Sequence, residues 1–252
     1  MRYFLAGVLG LLLLVMPYAG SADAPRDPIK WSQLPDMYGG LDFSTEIKVP
    51  SLVADDWLCR DGLPVMDIHW WGSYWIPPSG YTYYSDKLPN AVPPPGVVSF
   101  TLAIWSDVPQ GPGVPFSHPG QQLWSHAATN FNETFYGKTE FGEDVYQYFV
   151  RLPEEDWFLQ EKETIYWLSI QANFPNSSNQ WGWHESKYHW NDATVQDFMG
   201  SGWYALRNNL YDVDMAFELT TVPEPGSLAS LAVGLLGMVG WVARRMRRDD
   251  RG

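Results

Sequence analysis

The stretch "VVSFTLAIWSD", residues 97–107, alternates apolar side chains with small or polar ones. An extended chain sends successive side chains to opposite faces of a sheet, so this alternation predicts a half-buried β-strand. The side chains predicted to face inward are those of Val98, Phe100, Leu102 and Ile104.

The same period recurs near the end of the chain in "DVDMAFEL", residues 212–219. There the pattern predicts Val213, Met215, Phe217 and Leu219 inward, and Asp212, Asp214 and Glu218 outward. Further strand candidates are "FSTEIKV", "VADDWLC", "VMDIHWWGSYW", "VYQYFVRL" and "TIYWLSIQA". Seven or eight short strands separated by loops rich in Pro, Gly, Asn and Ser predict an all-β domain, an antiparallel β-sandwich or jelly-roll-like fold.

The N-terminus has the features of an export signal. A short basic head, an apolar run over residues 3–16 and the small-residue stretch "AGSADA" predict a secretory signal peptide over residues 1–24. The alternative, a transmembrane or core helix, is disfavoured because the run is short and no basic stop-transfer cluster follows it. We therefore expect residues 25–221 to form one exported domain.

Charge and cysteine content restrict the partners and the source of stability. Residues 25–222 carry 10 Lys+Arg against 25 Asp+Glu, a net charge of −15, which opposes binding to nucleic acid. Cys59 is the only cysteine, so the chain cannot form an internal disulfide. We expect Cys59 to lie buried and inert on a strand.

The C-terminal segment, residues 222–252, predicts a membrane anchor. Residues 226–243 carry no charge and would form a helix of about 27 Å, enough to cross a bilayer. The basic residues that follow are Arg244, Arg245, Arg247 and Arg248. The positive-inside rule places this basic tail in the cytoplasm and the domain outside the inner membrane.

Pro223, Glu224 and Pro225 stand directly before this helix, where two prolines keep the backbone extended. A Pro-Glu-Pro tripeptide, a glycine-rich apolar helix and an arginine cluster in this order resemble the PEP-CTERM sorting signal of Gram-negative bacteria. The resemblance implies an exosortase as partner, the inner membrane as a transient anchor, and release of the domain to the cell surface or extracellular matrix. Pro223, Glu224 and Pro225 match the motif that is read.

A second resemblance covers most of residues 30–219. The phrases "WSQLPDM", "VADDWLC", "DIHWWGSYW" and "TIYWLSIQANF…WGWHES…WND" are similar to a domain of unknown function found in exported PEP-CTERM proteins, notably those of planctomycete-like bacteria. The resemblance implies a sandwich fold and an extracellular location, and it implies no established activity.

The stretch "QWGWHESKYHWND", residues 180–192, is the strongest candidate for ligand binding. Flat aromatic rings beside polar groups are what a sugar-binding platform needs. The possible glycan-binding residues are Trp181, Trp183, His184 and Trp190. The alternative is that these aromatic side chains fill the core of a domain without disulfides.

No metal, cofactor or catalytic motif is evident. His184 and His189 are five residues apart, which suits neither a shared helical face nor a shared strand face. Asp55, Asp56 and the Asp-rich final strand could supply oxygens to calcium, but the spacing of a calcium loop is missing. GxSxG and SxxK are absent as well.

Carboxylates are abundant between residues 133 and 156, but a glycosidase pair is defined by distance in space, which a sequence does not contain. The candidates are Glu133, Glu140, Glu143, Asp144, Glu154, Glu155 and Asp156. The sequence thus predicts a non-enzymatic structural or adhesive protein of the envelope or matrix. A carbohydrate-binding module for exopolysaccharide is the first alternative, and a polysaccharide-degrading enzyme is the second.

Overall fold

The computed structural model describes residues 27–75, 96–173, 179–207 and 211–222. The predicted signal peptide, the Pro-Glu-Pro motif at 223–225, the predicted helix at 226–243 and the basic tail lie outside these residues. The described part of the chain contains no helix with the length and hydropathy needed to cross a membrane.

The first sheet has seven antiparallel strands arranged around one central strand. They are β1 (Ile29–Gln33), β2 (Asp42–Ser44), β4 (Asp67–Trp75), β7 (Asn132–Lys138), β8 (Asp144–Arg151), β10 (Gln180–His184) and β13 (Phe217–Thr220). One side of β4 pairs with β8, which pairs in turn with β7. The other side pairs first with β13 and then with β10, and β1 and β2 lie beyond these two strands.

The second sheet has six antiparallel strands in the order β12-β11-β3-β9-β5-β6. They are β3 (Ser51–Cys59), β5 (Ser99–Val108), β6 (His118–Ala128), β9 (Thr164–Asn173), β11 (Val195–Phe198) and β12 (Trp203–Ala205). A short 3-10 helix, Glu154–Asp156, lies in the connection between β8 and β9.

The core lies between the two sheets and is dominated by aromatic rings. Phe100 of β5 contacts Trp70 of β4 and Trp181 of β10, with ring centroids 5.0 Å apart in both pairs. Trp57 of β3 meets Phe217 of β13 in an edge-on contact at 6.4 Å. These contacts join the sheets, so packing and not disulfide bonding holds the domain together.

The structure confirms an all-β, two-sheet domain. Phe100, Leu102 and Ile104 are fully buried, as the alternation predicts, and Cys59 is buried at the end of β3. The prediction for Val98 is wrong, because this residue precedes β5 and its side chain is 45% exposed. The prediction for Asp214 is also wrong, because its side chain was predicted to face outward and the residue is 1% exposed.

Candidate functional site

A cleft opens at the edge of the first sheet where β2, β10 and the end of β4 meet. Its volume is about 680 Å³, and it is lined by residues 39–44, 73–75 and 180–182 together with Phe141 and Glu143. This volume falls within the range of small-molecule binding sites. The cleft therefore has the size to hold a ligand.

Aromatic side chains stand on the rim of this cleft. Phe141, in the loop between β7 and β8, is 76% exposed, and Trp75, the last residue of β4, is 39% exposed. Phe43 and Tyr74 are partly buried and pack against the core. The rim thus offers apolar ring surface to a ligand, and the side chains behind it are fixed by packing.

Three polar side chains converge beside the cleft, and we refer to Asp42, Glu143 and His184 as the Asp-Glu-His cluster. One potential ligand atom from each of them lies within 4.8 Å of the others. Asp42 and His184 are directly opposite each other in the β2–β10 ladder, and Asp42 Oδ1 is 3.0 Å from His184 Nδ1. The β-sheet register therefore places two of the three members of this cluster side by side.

The loop before β2 holds the imidazole ring of His184 from the other side. His184 Nε2 lies 3.1 Å from the carbonyl oxygen of Asp36, to which it donates a hydrogen bond. The backbone of Gly40 passes so close that a Cβ atom there would stand 2.9 Å from Nε2 and 2.7 Å from the Asp36 oxygen. A residue with a side chain at position 40 would displace the ring.

Glu143 is brought to the cluster by the turn that leads into β8. Its backbone N–H donates to the hydroxyl of Thr139 at 3.1 Å, and its carbonyl oxygen accepts from the Thr139 N–H at 2.9 Å. The N–H of Glu140 donates to the carbonyl oxygen of Met37 at 3.0 Å, which ties this turn to the loop that holds His184. The two loops therefore form one hydrogen-bonded unit.

The electrostatics of the cluster follow from burial and from the proximity of the two carboxyl groups. Burial, and then the charge and hydrogen bond of Asp42, raise the pKa of Glu143 to about 9. Burial alone would lower the pKa of His184, but the Asp42 carboxylate and the hydrogen bonds to Asp42 and Asp36 together hold it above its ordinary value. Both shifts favour the protonated forms, a neutral Glu143 and a charged His184.

The structure contradicts the predicted sugar-binding platform. The side chains of Trp181, Trp183 and His184 are 1%, 0% and 0% exposed, so they have no free face for stacking on a sugar. The indole N–H of Trp181 donates to the Tyr148 hydroxyl at 3.0 Å. Trp190 is partly buried and packs against the core. Alternation along β10 cannot reveal this, because the strand has side chains buried on both faces.

The acidic residues considered for calcium are divided between two faces of β3. Asp55 points into the core toward Asp214, whereas the Asp56 carboxylate accepts a hydrogen bond from the Asn191 amide at 2.9 Å. Adjacent residues of a strand point to opposite faces, so Asp55 and Asp56 cannot bind the same ion. Of the carboxylates considered, Glu143 alone belongs to the Asp-Glu-His cluster, and sequence analysis missed Asp42, which has no recognisable spacing to Glu143 or His184.

Fold and site define a class of protein: a two-sheet, all-β domain with an aromatic-rimmed, acidic cleft at a sheet edge. The chain belongs to the family described as "Domain of unknown function (DUF7901)", whose profile matches residues 29–220. A PEP-CTERM protein-sorting motif matches residues 221–248. No curated protein and no solved structure matches the chain.

The sorting motif identifies an exosortase-sorted PEP-CTERM protein. It implies export to the cell envelope and processing by an exosortase. Both matches agree with the two resemblances found in the sequence.

Proposed function

We propose that this chain is a non-enzymatic, adhesive protein of the cell surface or extracellular matrix, and that its domain binds polysaccharide in the cleft. In this proposal the predicted helix at 226–243 anchors the chain in the inner membrane after removal of the signal peptide. The exosortase then acts at Pro223, Glu224 and Pro225 and separates the domain from its anchor.

The observation that carries the proposal is the combination of side chains around the cleft. The exposed rings of Phe141 and Trp75 stand on the same cavity as the carboxylates of Asp42 and Glu143 and the amide of Gln180. A sugar ring presents apolar C–H surface and hydroxyl groups, so it requires both kinds of side chain. The cleft lies at a sheet edge, where a long polymer can enter and leave.

The charge of the domain narrows the choice of polymer. With a net charge of −15 over residues 25–222, the domain repels a polyanion at low ionic strength. A neutral or amino-sugar polysaccharide meets no such repulsion. The ligand class that fits best is therefore an uncharged or cationic exopolysaccharide.

The short separation of Asp42 and Glu143 supports a binding role over a hydrolytic one. One carboxyl oxygen of each lies within 4.8 Å of the other. The acid and nucleophile of a retaining glycosidase stand about 5–5.5 Å apart, and those of an inverting enzyme about 6.5–9.5 Å apart, so that sugar or water fits between them. The separation of Asp42 and Glu143 is shorter than either of these distances.

Polysaccharide cleavage is the second candidate, because Glu143 has the raised pKa of a general acid and lies beside another carboxylate. The purified protein would be incubated with a broad polysaccharide panel. Reducing-end release or new unsaturated ends that disappear in Glu143→Gln would replace the adhesive proposal with an enzymatic one. Intact polymers in every reaction support the binding role.

Affinity electrophoresis in gels containing neutral or amino-sugar polysaccharides tests the binding proposal. Retardation of the wild-type protein that is reduced in Phe141→Ala supports it. Leu159→Ala is the matched control, because Leu159 is 77% exposed, much like Phe141, and does not line the cleft. Equal retardation of both variants, or no retardation of the wild type on a full panel, would refute polysaccharide binding at this site.

A further inference from the structure

The ring of His184 is held in one orientation by partners on both nitrogens. A carbonyl oxygen accepts hydrogen bonds only, so the 3.1 Å contact between Nε2 and the Asp36 carbonyl places the proton on Nε2. In the charged ring, Nδ1–H donates to Asp42 Oδ1 at 3.0 Å, and loss of this proton leaves on Nδ1 a lone pair that can bind a metal ion. A carbonyl behind a histidine is the arrangement that orients metal-binding imidazoles in proteins.

The proton between Nδ1 and Asp42 Oδ1 occupies the place that a metal ion would take, because both atoms become ligands when that proton leaves. Ligand atoms about 2.1 Å from one ion are roughly 3.0 Å apart at a right angle and roughly 3.4 Å apart at the tetrahedral angle of zinc sites. The separation of Nδ1 and Oδ1, 3.0 Å, has the first value and needs a small widening to reach the second. The third ligand atom, from Glu143, lies within 4.8 Å of both, so a small rotation of the partly exposed Glu143 side chain completes the set.

A second observation points to a missing cation. Asp42 Oδ2 is buried and has no hydrogen-bond partner among the described residues. Within the same residues, no Lys or Arg side chain forms a salt bridge with Asp42 or Glu143. Buried carboxylates are normally paired with a cation or bound to a metal. His184 is the basic side chain that pairs with Asp42 in the described residues, and it contacts Oδ1 and not Oδ2.

We propose that Asp42, Glu143 and His184 bind one divalent transition-metal ion beside the cleft. Two carboxylates balance the charge of the ion, and the imidazole nitrogen favours Zn²⁺ or Mn²⁺ over Ca²⁺, which takes oxygen ligands. Water molecules, or hydroxyl groups of a ligand in the cleft, fill the remaining positions. The inference does not depend on the proposed polysaccharide binding, since the three side chains form the site without a sugar.

Metal titration of the full-length chain, purified in detergent and stripped with EDTA, tests the proposal. Isothermal titration with Zn²⁺ is expected to give one site per chain, and Zn²⁺ is expected to raise the melting temperature. Glu143→Gln keeps the size of the side chain and removes a ligand charge. We expect it to weaken Zn²⁺ binding at least about tenfold and to abolish the thermal shift.

Glu140→Gln is the matched control, because Glu140 is an exposed carboxylate in the same turn and does not belong to the cluster. It is expected to bind Zn²⁺ as the wild type does. Circular dichroism of each variant in EDTA shows whether the fold is retained, and Asp42→Asn provides a second ligand variant. Equal affinities in wild type, Glu143→Gln and Asp42→Asn would overturn the proposal, as would the lack of a stoichiometric site in the wild type.

Discussion

Asp55 and Asp214 lie close together in the core, and their carboxylates accept hydrogen bonds from the same side-chain nitrogen of Gln33, at 3.3 and 2.9 Å. Burial, and then the charge of Asp214, hold the pKa of Asp55 well above its usual range. Burial is also the main cause that raises the pKa of Asp214 to about 8, and Asp56, Asp212 and Glu185 add to it. The fold therefore stabilises the protonated form of this pair.

The first prediction concerns the pH dependence of stability. A carboxyl group whose pKa is raised on folding stabilises the protein fully below its unfolded pKa of about 4, and this stability is lost as the pH rises through the folded pKa. For Asp214 the loss extends to about pH 8. We expect the free energy of unfolding to fall by up to about 1.4 kcal/mol per pH unit for each such proton.

Urea denaturation from about pH 5 to about pH 9 measures this effect. Asp214→Asn keeps an acceptor oxygen but cannot ionise, so its stability should decline less steeply than that of the wild type. Glu155→Gln, at an exposed carboxylate, serves as control and should follow the wild type. If the stability of Asp214→Asn declined with pH as steeply as that of the wild type, Asp214 would not be the source of the pH dependence.

The second prediction concerns Gly72, at the point where β4 passes Trp181. A Cβ atom at this position would lie 2.2 Å from the indole ring of Trp181 and 2.5 Å from the carbonyl oxygen of Gly182. Gly72→Ala should therefore destabilise the domain by about 1–3 kcal/mol or more through overpacking. Gly111→Ala, where a Cβ meets nothing within 4 Å, should leave the midpoint of urea denaturation nearly unchanged. Equal midpoints for both variants would count against the close packing at Gly72.

A third prediction follows from the burial of Trp183. Its indole N–H donates to the Ala216 carbonyl at 2.8 Å, and its ring is fully buried between the sheets. Trp183→Ala should cost about 3–5 kcal/mol of stability, the range for removing a large aromatic side chain from a core. Chemical denaturation of the purified variant measures this cost. If Trp183→Ala instead kept its stability and lost polysaccharide binding, the result would support the sugar-binding site predicted from the sequence.

The fourth prediction concerns sorting. If the exosortase reads Pro223, Glu224 and Pro225, replacing all three with alanine should leave the domain in the membrane fraction with residues 226–252 attached. The wild-type protein released from the cells should lack these residues, and Glu155→Gln should behave like the wild type. Mass spectrometry of the C-terminal peptides measures the difference. Released wild-type protein that still carries residues 226–252 would refute processing at this motif.

Local patterns were sufficient to predict much of the fold. Alternation placed Phe100, Leu102 and Ile104 in the core, because a strand with one wet face repeats its apolar residues every second position. The prediction failed at Asp214, because the residue type alone does not distinguish a buried aspartate that accepts hydrogen bonds from a solvent-exposed one. It also missed six of the thirteen strands in the described residues, since it predicted seven or eight. Two of the missed strands, β6 and β7, have side chains that are mostly polar or exposed.

The sequence by itself determined the all-β class and the sorting motif, since both depend on residues close together in the chain. It also determined the lack of an internal disulfide, because the chain has one cysteine. Only the tertiary structure decided that the tryptophans of β10 are buried and that Asp42, Glu143 and His184 converge. Strand register pairs Asp42 with His184, and a turn ahead of β8 adds Glu143. The proximity of these three residues arises from the pairing of strands that are remote in sequence. The periodicity within one strand therefore cannot predict it.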